Sequence, residues 1–260
     1  MVAPSIVPLI LAGGRGTRIA DVFPHLPKPA IPVAGKPFLA WIIDQLSDAG
    51  YREAVISTGH LASRLRSEMV AWEPAGMRLT WVEEPLPLGT GGGAAYAARC
   101  SNATPAHWLV LNGDSYLASD WPRRLLGYEK QAMTIVAKTV PDTRRYGRMT
   151  TDADGRLTAF AEKLTAGAGM INAGIYAIPG AWLAAVPSDR PCAMETDLIP
   201  GWLAEGRPIE ALHADGEFLD VGTPESLAQA EDFFHRNVPA CSAAVPHAAS
   251  LPAKDRLEPL

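Results

Sequence analysis

The stretch Ile6-Val7-Pro8-Leu9-Ile10-Leu11-Ala12-Gly13-Gly14-Arg15-Gly16-Thr17-Arg18 decides the fold. Ile6 to Leu11 is a continuous apolar run, the signature of a strand buried on both faces, and it passes straight into glycines. Glycines after a strand let the backbone approach a phosphate closely and aim its N–H groups at the oxygens. Arg18, and then Lys28-Pro29, would bring mobile positive charge to a polyphosphate. The glycines alone read equally well as a tight surface turn; the cations that follow favour the phosphate site. No Gly-Lys-Ser/Thr is present, which excludes a Walker A loop, and Ile19 stands where a dinucleotide fingerprint needs Gly or Ala.

Outward from this loop, short β-rich runs alternate with segments of helical period. That is the pattern of a layered α/β domain with a largely parallel sheet. From Pro37 the set Phe38, Leu39, Ile42, Ile43, Leu46 and Ala49 recurs at helical spacing, with Gly50 just past the end. Strands are predicted over 54–57, 79–83, 108–111, 134–138, 171–178 and 209–212, and helices over 62–72, 92–99, 120–130 and 224–234. Gly147 to Phe160 reads as a hairpin turning at Asp154-Gly155. After Asn237 the composition shifts to Pro, Ala and Ser, which predicts a catalytic domain over residues 1–236 and a disordered tail over 237–260.

The 260 residues are 48% apolar and 20% charged, enough for a sizeable core without disulfides or structural metal. Lys and Arg number 23 against 28 Asp and Glu, a formal net charge of −5. That balance argues against a broad basic face gripping nucleic acid, while small anions remain within reach of local cations. Three widely spaced cysteines (Cys100, Cys192 and Cys241) suggest neither a disulfide framework nor a zinc site, and a reducing cytoplasm is the expectation. No apolar run is long enough to span a bilayer, and nothing in the sequence speaks to oligomeric state.

The run LAGGRGTR (11–18), the pair KP (28–29) and IPVAGKPFL (31–39) resemble the signature region of the sugar-phosphate nucleotidyltransferases. EEPLPLGTGGG (83–93), NGDS (112–115), EK (162–163), NAGIY (172–176), ETD (195–197) and FLDVGTPE (218–225) match that family in order. The resemblance implies a Rossmann-like three-layer α/β domain with a mixed, mostly parallel sheet. It implies an enzyme that turns a nucleoside triphosphate and a sugar 1-phosphate into an NDP-sugar and pyrophosphate. Its wording is most similar to guanylyltransferases acting on D-glycero-α-D-manno-heptose 1-phosphate. Mannose-1-phosphate guanylyltransferases and amino-sugar-1-phosphate uridylyltransferases share most of these residues.

Carried over position by position, the resemblance assigns catalysis to Arg18, Lys28 and Asp114, and Mg²⁺ to Asp114 and Asp220. Nucleotide contacts fall to Leu11, Ala12, Gly13, Gly14, Gly16, Thr17, Glu84, Gly89 and Thr90. The sugar phosphate falls to Tyr146, Gly147, Glu162, Lys163, Asn172, Gly174 and Glu195. Asp114 follows an apolar strand, where open α/β sheets bind ligands, and a pair of carboxylates with phosphate oxygens suits magnesium. Either aspartate alone reads more readily as a turn or helix cap. Guanine offers two adjacent N–H donors, so the acceptor-only carboxylate of Glu84 favours GTP; two solvated loop acids, Glu83 and Glu84, are the plainer alternative. Asp152-Ala153-Asp154 has the DxD spacing of glycosyltransferase metal sites, against which stands the predicted Asp-Gly turn.

Overall fold

The computed structural model describes residues 5–14, 16, 19, 22–161 and 167–238. Arg15, Thr17, Arg18, Glu162, Lys163 and the Pro-rich tail from 239 lie outside the described residues. In chain order, β1 (Ile6–Ala12) leads through a 3-10 turn at Lys28–Ala30 to the hairpin of β2 (Pro32–Val33) and β3 (Lys36–Pro37). Then come α1 (Phe38–Ala49), β4 (Glu53–Thr58), α2 (Ala62–Met69), β5 (Arg78–Glu83), α3 (Gly89–Cys100) and β6 (His107–Asn112). The middle third holds β7 (Ser115–Leu117), α4 (Trp121–Leu125), β8 (Met133–Val140), β9 (Arg148–Thr151), β10 (Leu157–Ala161) and β11 (Gly169–Pro179). The last third holds α5 (Gly180–Ala184), α6 (Ile199–Ala204), β12 (Ile209–His213), β13 (Phe218–Asp220), α7 (Pro224–Ala228) and α8 (Ala230–Asn237).

One mixed nine-stranded sheet organises these elements. Its nucleus is the parallel run β6-β1-β4-β5, with Leu9 opposite both Val55 and Val110. Beyond β6 the direction reverses: β11 pairs antiparallel with β6, β8 and β9, and β12 adds to β8 in parallel. Both faces of β1 are buried, which is why its sequence is continuously apolar. Ile6 and Ile10 face a core with Phe38, Ile43, Leu46, Trp121 and Phe234, while Val7 and Leu9 face Val55, Ala94, Tyr176 and Trp202. The result is helices on both sides of the sheet, as the resemblance implied. Among the described residues no helix is long and apolar enough to cross a membrane.

Helix α1 begins after Pro37 and stops at Gly50, whose φ of +108° closes the last turn with an N–H bond to the Leu46 carbonyl. Other predicted helices shift. The segment predicted over 120–130 is helical only to Leu125, with Gly127 at φ +77° turning the chain. The segment over 224–234 is two helices that part at Gln229, and the one over 62–72 ends in a 3-10 turn at Val70–Trp72. Helix α3 starts at Gly89 rather than Gly92.

A small antiparallel ribbon, β7 with β13, sits beside the sheet with Asp220 opposite Ser115. The entry into β13 depends on Gly216, at φ +107°, where a Cβ would lie 2.0 Å from the Ala118 carbonyl oxygen. Gly216→Ala is therefore expected to destabilise the fold by about 2–4 kcal/mol, combining left-handed strain with overpacking against backbone. A urea-unfolding midpoint unchanged from wild type would contradict this account.

Candidate active site

The parallel strands all end on one edge of the sheet, and the predicted residues gather there. Gly13 and Gly14 follow β1, Gly59 follows β4, Glu84 follows β5, and Gly113-Asp114 follow β6. Such C-terminal edges are where open α/β sheets bind ligands. Gly113 N–H donates to the Leu11 carbonyl at 2.9 Å and His60 N–H to the Gly13 carbonyl at 3.3 Å, lashing neighbouring loops together. Gly14 opens onto free space, and Gly16, at φ +60°, faces the stem of Lys28. Thr17 and Arg18 lie outside the described residues.

Asp114 and Asp220, more than a hundred residues apart in sequence, meet through the β7–β13 ribbon. Val221 N–H donates to the Asp114 carbonyl at 3.0 Å, and the Lys28 ammonium bonds the Asp114 carboxylate at 2.9 Å. Burial, and then the neighbouring charge of Asp114, holds the Asp220 carboxyl above the usual carboxylate range. Asp220 does not cap the following helix. That task belongs to Thr223, whose side chain accepts from Ser226 N–H in a reciprocal capping box. The Arg145 guanidinium approaches Asp220 to 3.8 Å.

These groups floor a cleft of about 290 Å³ whose walls include Tyr146, Gly147, Asn172, Gly174, Glu195 and Phe218. The antiparallel turn of direction explains the wall: β11 starts where β6 ends, so Asn172 and Gly174 stand beside Asn112. A register shift between Asn172 and Tyr176 bulges β11 at this point, a common way to re-aim side chains near a site. Gly174 N–H donates to Asn172 Oδ1 at 2.8 Å. Asn172 Nδ2 donates to the Tyr176 hydroxyl at 2.6 Å, and that hydroxyl donates to Glu195 Oε1 at 2.9 Å. Tyr176 is fully buried, which with the Glu195 charge raises its phenol well above the ordinary value and keeps it a donor. The Thr90 hydroxyl donates to Glu195 Oε2 at 2.9 Å. Hollows of about 430 and 510 Å³ elsewhere contain none of the predicted residues.

Glu84 lies between the loop after β1 and the first turn of α3. Its Oε1 accepts from the Ser57 hydroxyl at 3.0 Å and its Oε2 from Leu88 N–H at 3.2 Å. Each oxygen retains a further lone pair. Burial raises the Glu84 carboxyl above its usual value, the two hydrogen bonds opposing the shift. Glu83, by contrast, is exposed.

The structure thus brings together Lys28, Asp114, Tyr146, Gly147, Asn172, Gly174, Glu195 and Asp220, with Glu84 on the adjoining loop and Gly89 and Thr90 in the first turn of α3. Glu162 and Lys163 lie outside the described residues. Sequence reading overlooked Arg145, Tyr176, Asn112 and Ser57. The sequence signal that points to Arg145 is its place beside Tyr146-Gly147, and the one that points to Asn112 is its place in NGDS. Asn112 Oδ1 is buried without a hydrogen-bond partner, a position that a polar ligand or water would satisfy. The Asp152-Ala153-Asp154 run is the predicted turn: Asp152 Oδ1 accepts from the N–H groups of Asp154 and Arg156 at 3.0 and 2.9 Å. Among the described residues no cluster of three or more His, Cys, Asp or Glu forms a metal cage.

The family profile described as Nucleotidyl transferase matches residues 7–237. A mannose-1-phosphate guanylyltransferase from Mycobacterium tuberculosis is 31% identical over 85% of this chain and 62% of its own length. This chain spans about three fifths of the mannose-1-phosphate guanylyltransferases that it matches. A D-glycero-alpha-D-manno-heptose 1-phosphate guanylyltransferase from Aneurinibacillus thermoaerophilus is 29% identical over 86% of this chain and 96% of its own. The crystal structure of HddC from Yersinia pseudotuberculosis complexed with GMP-PN superposes with a TM-score of 0.76 at 30% identity, covering 87% of this chain and 98% of that one.

Proposed function

This chain belongs to the nucleotidyl transferase family, and from that premise we propose that it converts a nucleoside triphosphate and a sugar 1-phosphate to an NDP-sugar and pyrophosphate. GTP and D-glycero-α-D-manno-heptose 1-phosphate are the favoured pair. The observation that carries this reading is the meeting of Asp114 and Asp220 beside Lys28, at the mouth of a polar cleft. The heptose preference draws on a relative of that name matched over 96% of its length, and the guanine preference on Glu84 and on a neighbour complexed with GMP-PN.

In this reading a phosphate oxygen of the sugar 1-phosphate attacks the α-phosphorus in line and pyrophosphate departs. Positioning and charge neutralisation supply the rate, with no covalent enzyme intermediate. Arg18 and the loop amides hold the β- and γ-phosphates, and Lys28 and Lys163 flank the reacting phosphates. Glu195 and Asn172 accept and donate to sugar hydroxyls. The donor set suits Mg²⁺: two carboxylates alone, one already drawn to a cation, leave coordination positions for phosphate oxygens and water. When bound, that ion would neutralise charge on the nucleotide phosphates. Residues 1–236 form the catalytic unit of this proposal, working in the cytoplasm.

The decisive assay is a pyrophosphate-release screen of the common nucleoside triphosphates against heptose, mannose, glucose and amino-sugar 1-phosphates. No release with any pair, or release that does not need a sugar 1-phosphate, would refute the reading. Glu84 gives a sharper test of base choice. Glu84→Gln replaces an acceptor oxygen by an N–H₂ donor facing guanine's donors, so kcat/KM for GTP should drop by about 10- to 100-fold relative to UTP. Acidification acts in the same direction. As pH falls through the raised Glu84 pKa the carboxyl gains a proton, so GTP affinity should weaken at a higher pH than an ordinary glutamate would dictate. A pH-independent GTP affinity in this range would remove Glu84 from the base site.

A further inference from the structure

Four glycines in the first turns of α3 weaken a helix by about 1 kcal/mol each relative to alanine, so a contact should explain them. Gly89, at φ +72°, would drive a Cβ to 2.6 Å from the Cys192 carbonyl oxygen, and Gly91 one to 2.6 Å from Leu198 Cδ1. Gly89, Gly91 and Gly92 are therefore pressed against residues 190–198, while Gly93 faces the Glu84 carboxylate. Backbone bonds complete the contact: Cys192 N–H to the Leu88 carbonyl at 2.8 Å, and Gly91 and Gly92 N–H to the Cys192 carbonyl at 2.9 and 3.0 Å. At the centre stands one side chain. The Thr90 hydroxyl oxygen accepts from Met194 N–H at 2.7 Å and donates to Glu195 Oε2 at 2.9 Å.

Glu195 projects from a π-helical turn, Met194–Leu198, whose geometry does not by itself fix a long carboxylate side chain. Both of its oxygens are nevertheless engaged, one by Thr90 and the other by Tyr176, leaving the remaining lone pairs for the cleft. We propose that Thr90, although it rises from the first turn of α3 close to the base-reading Glu84, is a positioning residue for the sugar: its hydroxyl aims the Glu195 carboxylate at the sugar hydroxyls. The inference rests on the reading of the cleft as a sugar 1-phosphate site. It separates Thr90 from the nucleotide contacts to which resemblance assigned it.

The test is steady-state pyrophosphate release by Thr90→Val, Thr90→Ser and Tyr176→Phe, varying each substrate in turn. Thr90→Val is nearly isosteric and lacks the hydroxyl. It should raise KM for the sugar 1-phosphate about tenfold, the loss of one hydrogen bond to a charged acceptor, with KM for GTP within twofold of wild type. Thr90→Ser should restore the wild-type value. Tyr176→Phe removes the other anchor of Glu195 and should reproduce the sugar-side increase, which guards against a Thr90→Val chain that folds poorly through its orphaned Met194 N–H. A rise in KM for GTP alone, or an unchanged sugar KM in both variants of an active enzyme, would overturn this role for Thr90. No turnover by wild type with any nucleotide and sugar 1-phosphate would overturn the sugar-site reading and this inference with it.

Discussion

Asp114→Asn is expected to lower kcat about 10³-fold while leaving a folded protein. Asp114 sits at the end of a buried parallel strand, fixed by the Val221 N–H on its carbonyl, so the substitution keeps shape and loses charge. The 2.9 Å partner of Lys28 then loses its negative charge, and the paired site with Asp220 loses half of its own. Two readouts separate this from a packing defect. The Mg²⁺ concentration needed for half-maximal turnover should rise, and the thermal midpoint without metal should fall little, because Asp114 is a third exposed on its side chain. Asp220→Asn should show the same metal dependence. An Asp114→Asn enzyme with near-normal turnover at low Mg²⁺ would place the chemistry elsewhere.

Arg18→Ala should be as damaging, lowering turnover by about 10³-fold or more, by analogy with arginines that stabilise phosphoryl-transfer charge. Arg18 lies outside the described residues; in the sequence it ends the glycine-rich run that follows β1, and Gly16 in that run faces Lys28. If the guanidinium acts mainly as charge builds on the departing pyrophosphate, kcat should fall with little change in KM for GTP. Arg18→Lys should recover only part of the loss, since an ammonium keeps the charge and loses the planar fork. A folded Arg18→Ala protein with wild-type kcat would strip the residue of its catalytic role.

What could be read beforehand followed from periodicity. β1 and α1 announce themselves because Ile6 to Leu11 is apolar throughout and Phe38 to Ala49 repeats at helical spacing between Pro37 and Gly50. The ribbon of β7 and β13 has three residues per strand, too few for any period, and its pairing joins Ser115 to Asp220 across the chain. Nothing local encodes that meeting; the resemblance alone paired the aspartates. The short helices α5 and α6 escaped for the same reason, and Gly127 cut α4 shorter than its apolar pattern implied. At the site, Asp114, Glu84 and Glu195 carry charge and were visible in their motifs. Tyr176 reads as one more buried strand residue; only the fold reveals that its hydroxyl meets a carboxylate. The glycines after Glu84 carry no periodic signal; the fold shows Gly89, Gly91 and Gly92 packed against residues 190–198, where φ and close approach select glycine.

The reversal of strand direction between β6 and β11 has an engineering corollary. In the proposed reading one substrate would be met by loops leaving parallel strands and the other by the opening residues of an antiparallel one, which divides the site into two half-shells along the β6–β11 boundary. A chimera that swaps in a foreign acceptor shell from another member would inherit the donor shell intact. It would succeed only if the graft brought its own match for the threonine and glycine clasp that rivets the halves together.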